Sequence, residues 1–284
     1  MPIKILNENT ENQKEVCVLS YSSYSVYKQC PQRYYKEKCL KLKKQEDITF
    51  TIPGSIIHNA AEHFFKTGSL EKFSENELKA ELFKRGKQPN VDYVKAYKSE
   101  DKAFDLLLKS GKNLEMFLIA LDRNNKYMSE EWFGVWNAPL YLSDNLGIQG
   151  AADLISFNPN GTALLYDFKT SYNTKNISRD QLMLYCIAYK KKWDINITST
   201  AFFMLPTNKF NYFTFSEDEK QLLLNQIQTA ANEILSKKEN LPATPNDKCK
   251  YCPFFDECSG TQTEREITQA IEGTISFDSF GADL

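Results

Sequence analysis

Two aspartates and a lysine stand in a stretch whose other residues read as buried strand. In GAADLISFNPNGTALLYDFKTS, residues 150 to 171, two apolar runs flank Pro159-Asn160-Gly161, the composition of a turn between paired strands. Ile148, Leu154, Ile155 and Phe157 in the first run, and Leu164, Leu165, Tyr166 and Phe168 in the second, cover both faces, as strands buried on two sides do. Asp167 and Lys169 are two residues apart and leave the same face, while a turn centred near Asn160 sets Asp153 opposite Asp167. Two carboxylates held together away from water repel each other, and burial of either alone is costly. A cation belongs with them: Lys169 supplies one charge and a divalent metal the rest. Carboxylate oxygens ligate Mg²⁺ or Mn²⁺, and a neighbouring ammonium orients or activates the attacking water in phosphodiester hydrolysis. The other reading is a buried structural ion pair between Lys169 and one aspartate. A register slip of one residue would send Asp153 to the opposite face.

Positioning such a hairpin takes a larger frame. Residues 1 to 18 read as a flexible N-terminus, and Ser20 to Lys38 has a helical pattern interrupted at Cys30-Pro31. A helix follows Pro53-Gly54, with Ser55 placed to cap it and Gly68 to end it. Ser74 to Lys87 and Ser99 to Arg123 are amphipathic helices, so residues 55 to 125 form a helical subdomain. From Tyr127 the pattern turns to strands: EEWFGVW, the hairpin, TAFFML and NYFTF, with the helix SRDQLMLYCIAYKKKW between them and SEDEKQLLLNQIQTAANEILSKK after. The order implies an α/β fold, a mixed sheet flanked by helices, with residues 126 to 238 as the sheet core of one domain spanning 19 to 258. Residues 259 to 284 read as a C-terminal tail.

Composition narrows the class. The 284 residues carry 35 basic and 37 acidic side chains, a net charge of -2, which argues against a uniformly basic coat and makes any nucleic-acid contact local. The first residues lack the apolar run of a signal peptide and no stretch has membrane-span length, so a cytoplasmic location is expected. Seven cysteines in such a compartment point to metal where clustered and to packing where isolated. Cys249, Cys252 and Cys258 follow C-x2-C-x5-C, and Cys30, like Cys252, precedes a proline. Four thiolates suit either Zn²⁺ or a 4Fe-4S cluster, and spacing alone does not choose. Cys17, Cys39 and Cys186 read as small hydrophobes. Basic groups at Lys36, Lys38, Lys41, Lys43 and Lys44, at Lys84, Arg85 and Lys87, and at Lys190, Lys191 and Lys192 are candidate phosphate contacts or simply solvated charge.

G-x-x-D at Gly150 and Asp153, then D-x-K at Asp167 and Lys169, resembles the PD-(D/E)XK nuclease superfamily, and its surroundings resemble the RecB-type branch that includes AddB and the iron-sulfur CRISPR-associated exonucleases. GSIIH resembles that branch's G-x-x-x-H motif, which makes His58 a metal ligand beside Asp153, Asp167 and the Phe168 carbonyl. QLMLY resembles its Q-x-x-x-Y motif, giving Gln181 and Tyr185 a role in positioning the phosphate; Gln181 alone also completes a capping box with Ser178. Glu131 takes the place of an acid on the preceding strand, with Glu130 beside it leaving the choice open. The resemblance implies a restriction-endonuclease-like core, a 4Fe-4S cluster on Cys30, Cys249, Cys252 and Cys258 joining N- and C-terminal segments, and Mg²⁺- or Mn²⁺-dependent exonuclease action on single-stranded DNA or ends in recombination, repair or replication. A structure-specific endonuclease, and a non-catalytic DNA-end-binding subunit of a recombination or spacer-acquisition complex, are the alternatives. The tyrosines of SYSSYSVYKQC and QRYYKEK are candidates to stack bases or to pack a core. The tail GTISFDSFGADL, with Phe277, Phe280 and Leu284 among acids, is a candidate docking segment for a protein partner.

Overall fold

The computed structural model describes residues 3–6, 14–42, 48–172 and 177–258. Lys43, Lys44 and the candidate docking tail lie outside these residues. The chain divides into two compact units, one of Met1–Lys44, Tyr141–Gln149 and Leu224–Leu284, the other of Gln45–Leu140 and Gly150–Leu223.

The second unit holds the hairpin. Its five-stranded sheet runs in the order Lys209–Phe213, Ile197–Met204, Ala163–Lys169, Leu154–Phe157, Lys126–Met128. The hairpin strands pair antiparallel with Leu154 opposite Tyr166, so one step further along the same register Asp153 faces Asp167. The turn closes through Asn158, which donates its N–H to the Thr162 carbonyl at 2.9 Å, and Gly161 takes φ +84°, a conformation costly for a side chain. Ala163–Lys169 also pairs parallel with Ile197–Met204, and the helix Asp180–Trp193 makes the crossover such a pair needs. The sheet is therefore mixed, buried on both sides, as the doubly apolar strands require.

Side chains alternate along Ala163–Lys169. Phe168 points into a core built with Ile57, Leu78, Leu107 and Leu114 from the helices Ile52–Thr67, Glu75–Gly86 and Glu100–Ile119. Phe117 anchors that core, its ring centroid 5.2 Å from those of Tyr166 and Phe203. A Cβ on Gly111 would meet Leu78 at 2.8 Å, so glycine is what lets these helices close. Asp167 and Lys169, one position out of phase, leave toward the crossover helix.

The helix bearing His58 begins at Ile52, before the expected start, and Ser55 lies within its first turn instead of capping it. Pro53 fits there because a first-turn residue has no intrahelical N–H bond to lose. Gly68 ends the helix at φ +74°, its N–H bonded to the Phe64 carbonyl at 2.7 Å.

In the first unit the expectation of a flexible stretch over residues 1 to 18 is corrected for Ile3–Leu6 and Lys14–Leu19, which are strands. Ile3–Leu6 pairs antiparallel with Lys14–Leu19, which pairs parallel with Leu146–Ile148. Val16, Cys17, Val18 and Leu19 are buried, and an apolar run of that length contributes several kcal/mol on burial, about 1.5 to 3 per large side chain. The helix Tyr21–Gln29 follows, capped by Ser20, and ends at Cys30, which also caps the short helix Pro31–Tyr34. Tyr24, Tyr27 and Tyr34 are buried, with the Tyr27 and Tyr34 rings edge-on and the Tyr27 hydroxyl donating to the Glu233 carboxylate; these three tyrosines pack a core. Among the described residues no helix is long and apolar enough to cross a membrane.

Candidate active site

The second unit draws seven polar side chains together. Asp167 is 3% exposed; its Oδ1 accepts from Gln181 Nε2 at 2.8 Å and its Oδ2 lies 2.6 Å from the Lys169 ammonium. Lys169 also donates to Gln181 Oε1 at 3.1 Å and lies 5.2 Å from the centre of the Phe202 ring. The Gln181 amide spends its remaining proton on the Tyr185 hydroxyl at 3.0 Å, which leaves that hydroxyl's own proton free to be donated. Gln181 thus fixes both charged partners, and its side chain is committed to the site, not to a capping box with Ser178.

Asp153 is tied down from three directions. Its Oδ2 accepts the Phe168 N–H at 2.5 Å, its carbonyl accepts from the Ser129 hydroxyl at 3.0 Å, and the preceding N–H, of Ala152, donates to the Tyr189 hydroxyl at 2.9 Å. Tyr189 in turn donates to the Glu131 carbonyl at 2.6 Å. Oδ1 of Asp153 is left facing the Nδ1 of His58 at 3.2 Å. Glu130, not Glu131, brings its carboxylate to this point, 3.7 Å from His58 Nδ1; the Glu131 side chain is exposed. Glu130 takes φ +53°, rare for a residue with a side chain, and its N–H bonds to the Ala152 carbonyl at 3.2 Å.

His58 reaches the site because its helix runs close against the end of the lysine strand: a Cβ on Gly54 would sit 3.1 Å from Thr170 Oγ1. The glycine of G-x-x-x-H is a packing requirement here. Neighbouring Glu62 pairs with Lys66 instead of His58.

Charge and burial conflict in this cluster. Burial pushes the Asp167 carboxyl up to about 6, the Asp153 charge adds to the rise and the Lys169 ammonium opposes it. The Asp153 charge raises the His58 imidazole well above its ordinary range, against the effect of burial. Tyr185 is raised by burial first and by the Asp167 charge second. Shifts that arise from burial together with specific charged partners in this way mark a functional site.

The donor set fits a hard divalent ion. One ligand atom from each of His58, Glu130 and Asp153 lies within 4.8 Å of the others. Asp167 Oδ2 is buried without a hydrogen bond of proper geometry despite its closeness to the ammonium, so it keeps lone pairs for a ligand bond. Carboxylate oxygens with one imidazole suit Mg²⁺ or Mn²⁺. Phe168 contributes its N–H to holding Asp153, and its side chain is buried.

Tyr189 is a site residue absent from the motifs; its position four residues after Tyr185, one helical turn further along the same face, is the signal the sequence offers for it. Several candidate phosphate contacts already have protein partners: Lys84 and Arg85 pair with Glu81, and Lys190 with Asp194.

The first unit gathers the cysteines. Cys30, Cys249, Cys252 and Cys258 all line one cavity. Backbone N–H groups point at the sulfurs: Arg33 at 3.4 Å and Thr244 at 3.5 Å on Cys30, Asn246 at 3.3 Å on Cys249. Burial raises the Cys252 and Cys258 thiols. Cys17 and Cys186 are buried apart from this group.

Residues 18–259 match the model of one family, described as the PD-(D/E)XK nuclease superfamily. A solved structure described as "Crystal structure of SSO0001" aligns with 75% of this chain and 98% of its own, at 14% identity and a TM-score of 0.35. No curated protein matches the chain.

Proposed function

The chain belongs to the PD-(D/E)XK nuclease superfamily, and on that premise we propose that it is a Mg²⁺- or Mn²⁺-dependent deoxyribonuclease working as an exonuclease on single-stranded DNA or DNA ends, in recombination, repair or replication. The observation that carries this reading is the convergence of Asp167 and Lys169, 2.6 Å apart, beside an Asp153 whose Oδ1 is aimed at His58.

Asp153, Asp167, His58 and the Phe168 carbonyl would hold the metal, with Glu130 placed to join them. That ion supplies polarisation of the scissile phosphoryl group and a lowered pKa for bound water. The protein's own part is positional. Lys169, held by Gln181, directs its ammonium toward the attacking water and the developing phosphorane charge. Gln181 keeps Asp167 and Lys169 in register, and Tyr185 offers its unspent proton to a phosphate oxygen. Tyr189 and Ser129 hold the backbone on either side of Asp153 still while charge redistributes.

We assign a 4Fe-4S cluster to Cys30, Cys249, Cys252 and Cys258 within the first unit. Its support is a cavity lined by all four thiols with backbone N–H groups on two of the sulfurs, the hydrogen-bonding that tunes such clusters. The cluster's role there is structural, tying together segments far apart in sequence.

Linear and circular single strands, incubated with Mg²⁺ or Mn²⁺, test the exonuclease reading. Degradation of the linear strand with the circle intact is expected; cleavage of the circle would make the protein an endonuclease. DNA binding with no cleavage of either would leave a non-catalytic end-binding subunit.

A further inference from the structure

We infer that Tyr172 is a stacking platform for an unpaired base beside the phosphate that Lys169 serves; the inference rests on the nuclease reading and specifies its substrate as a strand unpaired at the cleaved end. The strand that presents Lys169 stops at that residue, and Tyr172 follows three residues later with 56% of its surface exposed. Phe168, Tyr185, Tyr189 and Phe202 beside the site are buried, while Trp132, two residues past Glu130, is also exposed. Three residues span at most about 10 Å, so the ring stands within reach of the nucleotides flanking the scissile phosphate.

A cation accompanies the ring. The Lys109 ammonium, on the exposed side of the helix Glu100–Ile119, lies 5.8 Å from the Tyr172 ring centre. That helix packs on the His58 helix where a Cβ on Gly111 would come 3.5 Å from Ile57, and Thr170 meets the same helix at Gly54. Ring and cation are therefore attached to the elements that position His58 and Lys169.

A lone exposed aromatic residue is ordinary on a protein surface. An open ring with an ammonium beside it, next to a phosphodiester site, offers a base a π-face and its phosphate a counter-charge. Proteins that hold single strands without regard to sequence combine these two features. Base-paired ends could not use the ring without fraying, which makes Tyr172 a determinant of strand state.

The test uses full-length protein carrying Lys169→Ala, so that DNA survives, and oligonucleotides with 2-aminopurine at the terminal or at a central position. Terminal-probe fluorescence should be quenched on binding. Adding Tyr172→Ala should remove that quench and weaken binding by about 5- to 150-fold, the loss that a stacked base carries, whereas Tyr172→Phe should retain both. Equal quench and affinity with Tyr172→Ala would overturn the platform and leave the nuclease reading standing. Failure of the Lys169→Ala protein to bind any oligonucleotide, when the unmodified protein also cleaves none, would overturn both.

Discussion

Asp167 is the residue whose replacement separates folding from function most sharply. Burial pushes its carboxyl up to about 6 from the ordinary 3.8 that holds in the unfolded chain. The folded state therefore holds a proton that the unfolded chain has released between about pH 4 and pH 6, and the stability from this group, complete below that window, is lost as pH rises through it. A rise of that size corresponds to about 3 kcal/mol at neutral pH. His58, also raised, acts in the same sense: its contribution is present below its ordinary 6.5 and is lost as pH climbs through its higher folded value. Asp167→Asn keeps an oxygen to accept from Gln181 but removes the buried charge; the Lys169 ammonium, with 24% of its side chain exposed, can turn to water and Gln181. Allowing for that lost ion pair, the variant should be more stable than the parent by about 1 to 2 kcal/mol at pH 8 without added divalent metal, and equal to it near pH 4. Urea unfolding across that pH range measures the difference. Excess Mg²⁺ should stabilise the parent and not the variant, which should also be inactive. A variant less stable than the parent by a constant amount at every pH would refute the electrostatic reasoning.

Gln181→Ala should lower kcat by about 10- to 100-fold with little change in DNA affinity, since it frees Lys169 without removing it; single-turnover kinetics beside a binding titration would show this. Gly54→Ala should press on Thr170 and shift the His58 helix, lowering metal affinity several-fold, with Thr170→Ala as the rescuing second change; Mn²⁺ titration reads both. Cys252→Ser should remove the broad brown absorbance expected of anaerobically purified protein, while a colourless parent that binds zinc would contradict the iron-sulfur assignment.

The hairpin was legible because its signals are local. Apolar runs of defined length flank Pro159-Asn160-Gly161, and counting outward from Asn160 sets Asp153 against Asp167, the register that the Leu154 and Tyr166 pair continues. The helix of Gln181 was equally plain from its periodicity. Pairing of Lys14–Leu19 with Leu146–Ile148 was not, since strands more than a hundred residues apart leave no local trace of their partnership, although the VCVL run hinted at burial. Glu130 and Glu131 could not be told apart because the choice rests on a left-handed backbone at Glu130, a conformation that tertiary contacts impose. Ser55 misled because it has a capping side chain, yet the helix already starts at Ile52, with Pro53 buried in its first turn and Gly54 close against Thr170.

Anomalous diffraction from crystals soaked in Mn²⁺ puts the central claim to the most direct trial. One strong peak is expected within about 2.5 Å of carboxylate oxygens from both Asp153 and Asp167 and of the His58 imidazole. A peak elsewhere, with these three side chains free of metal, would contradict it.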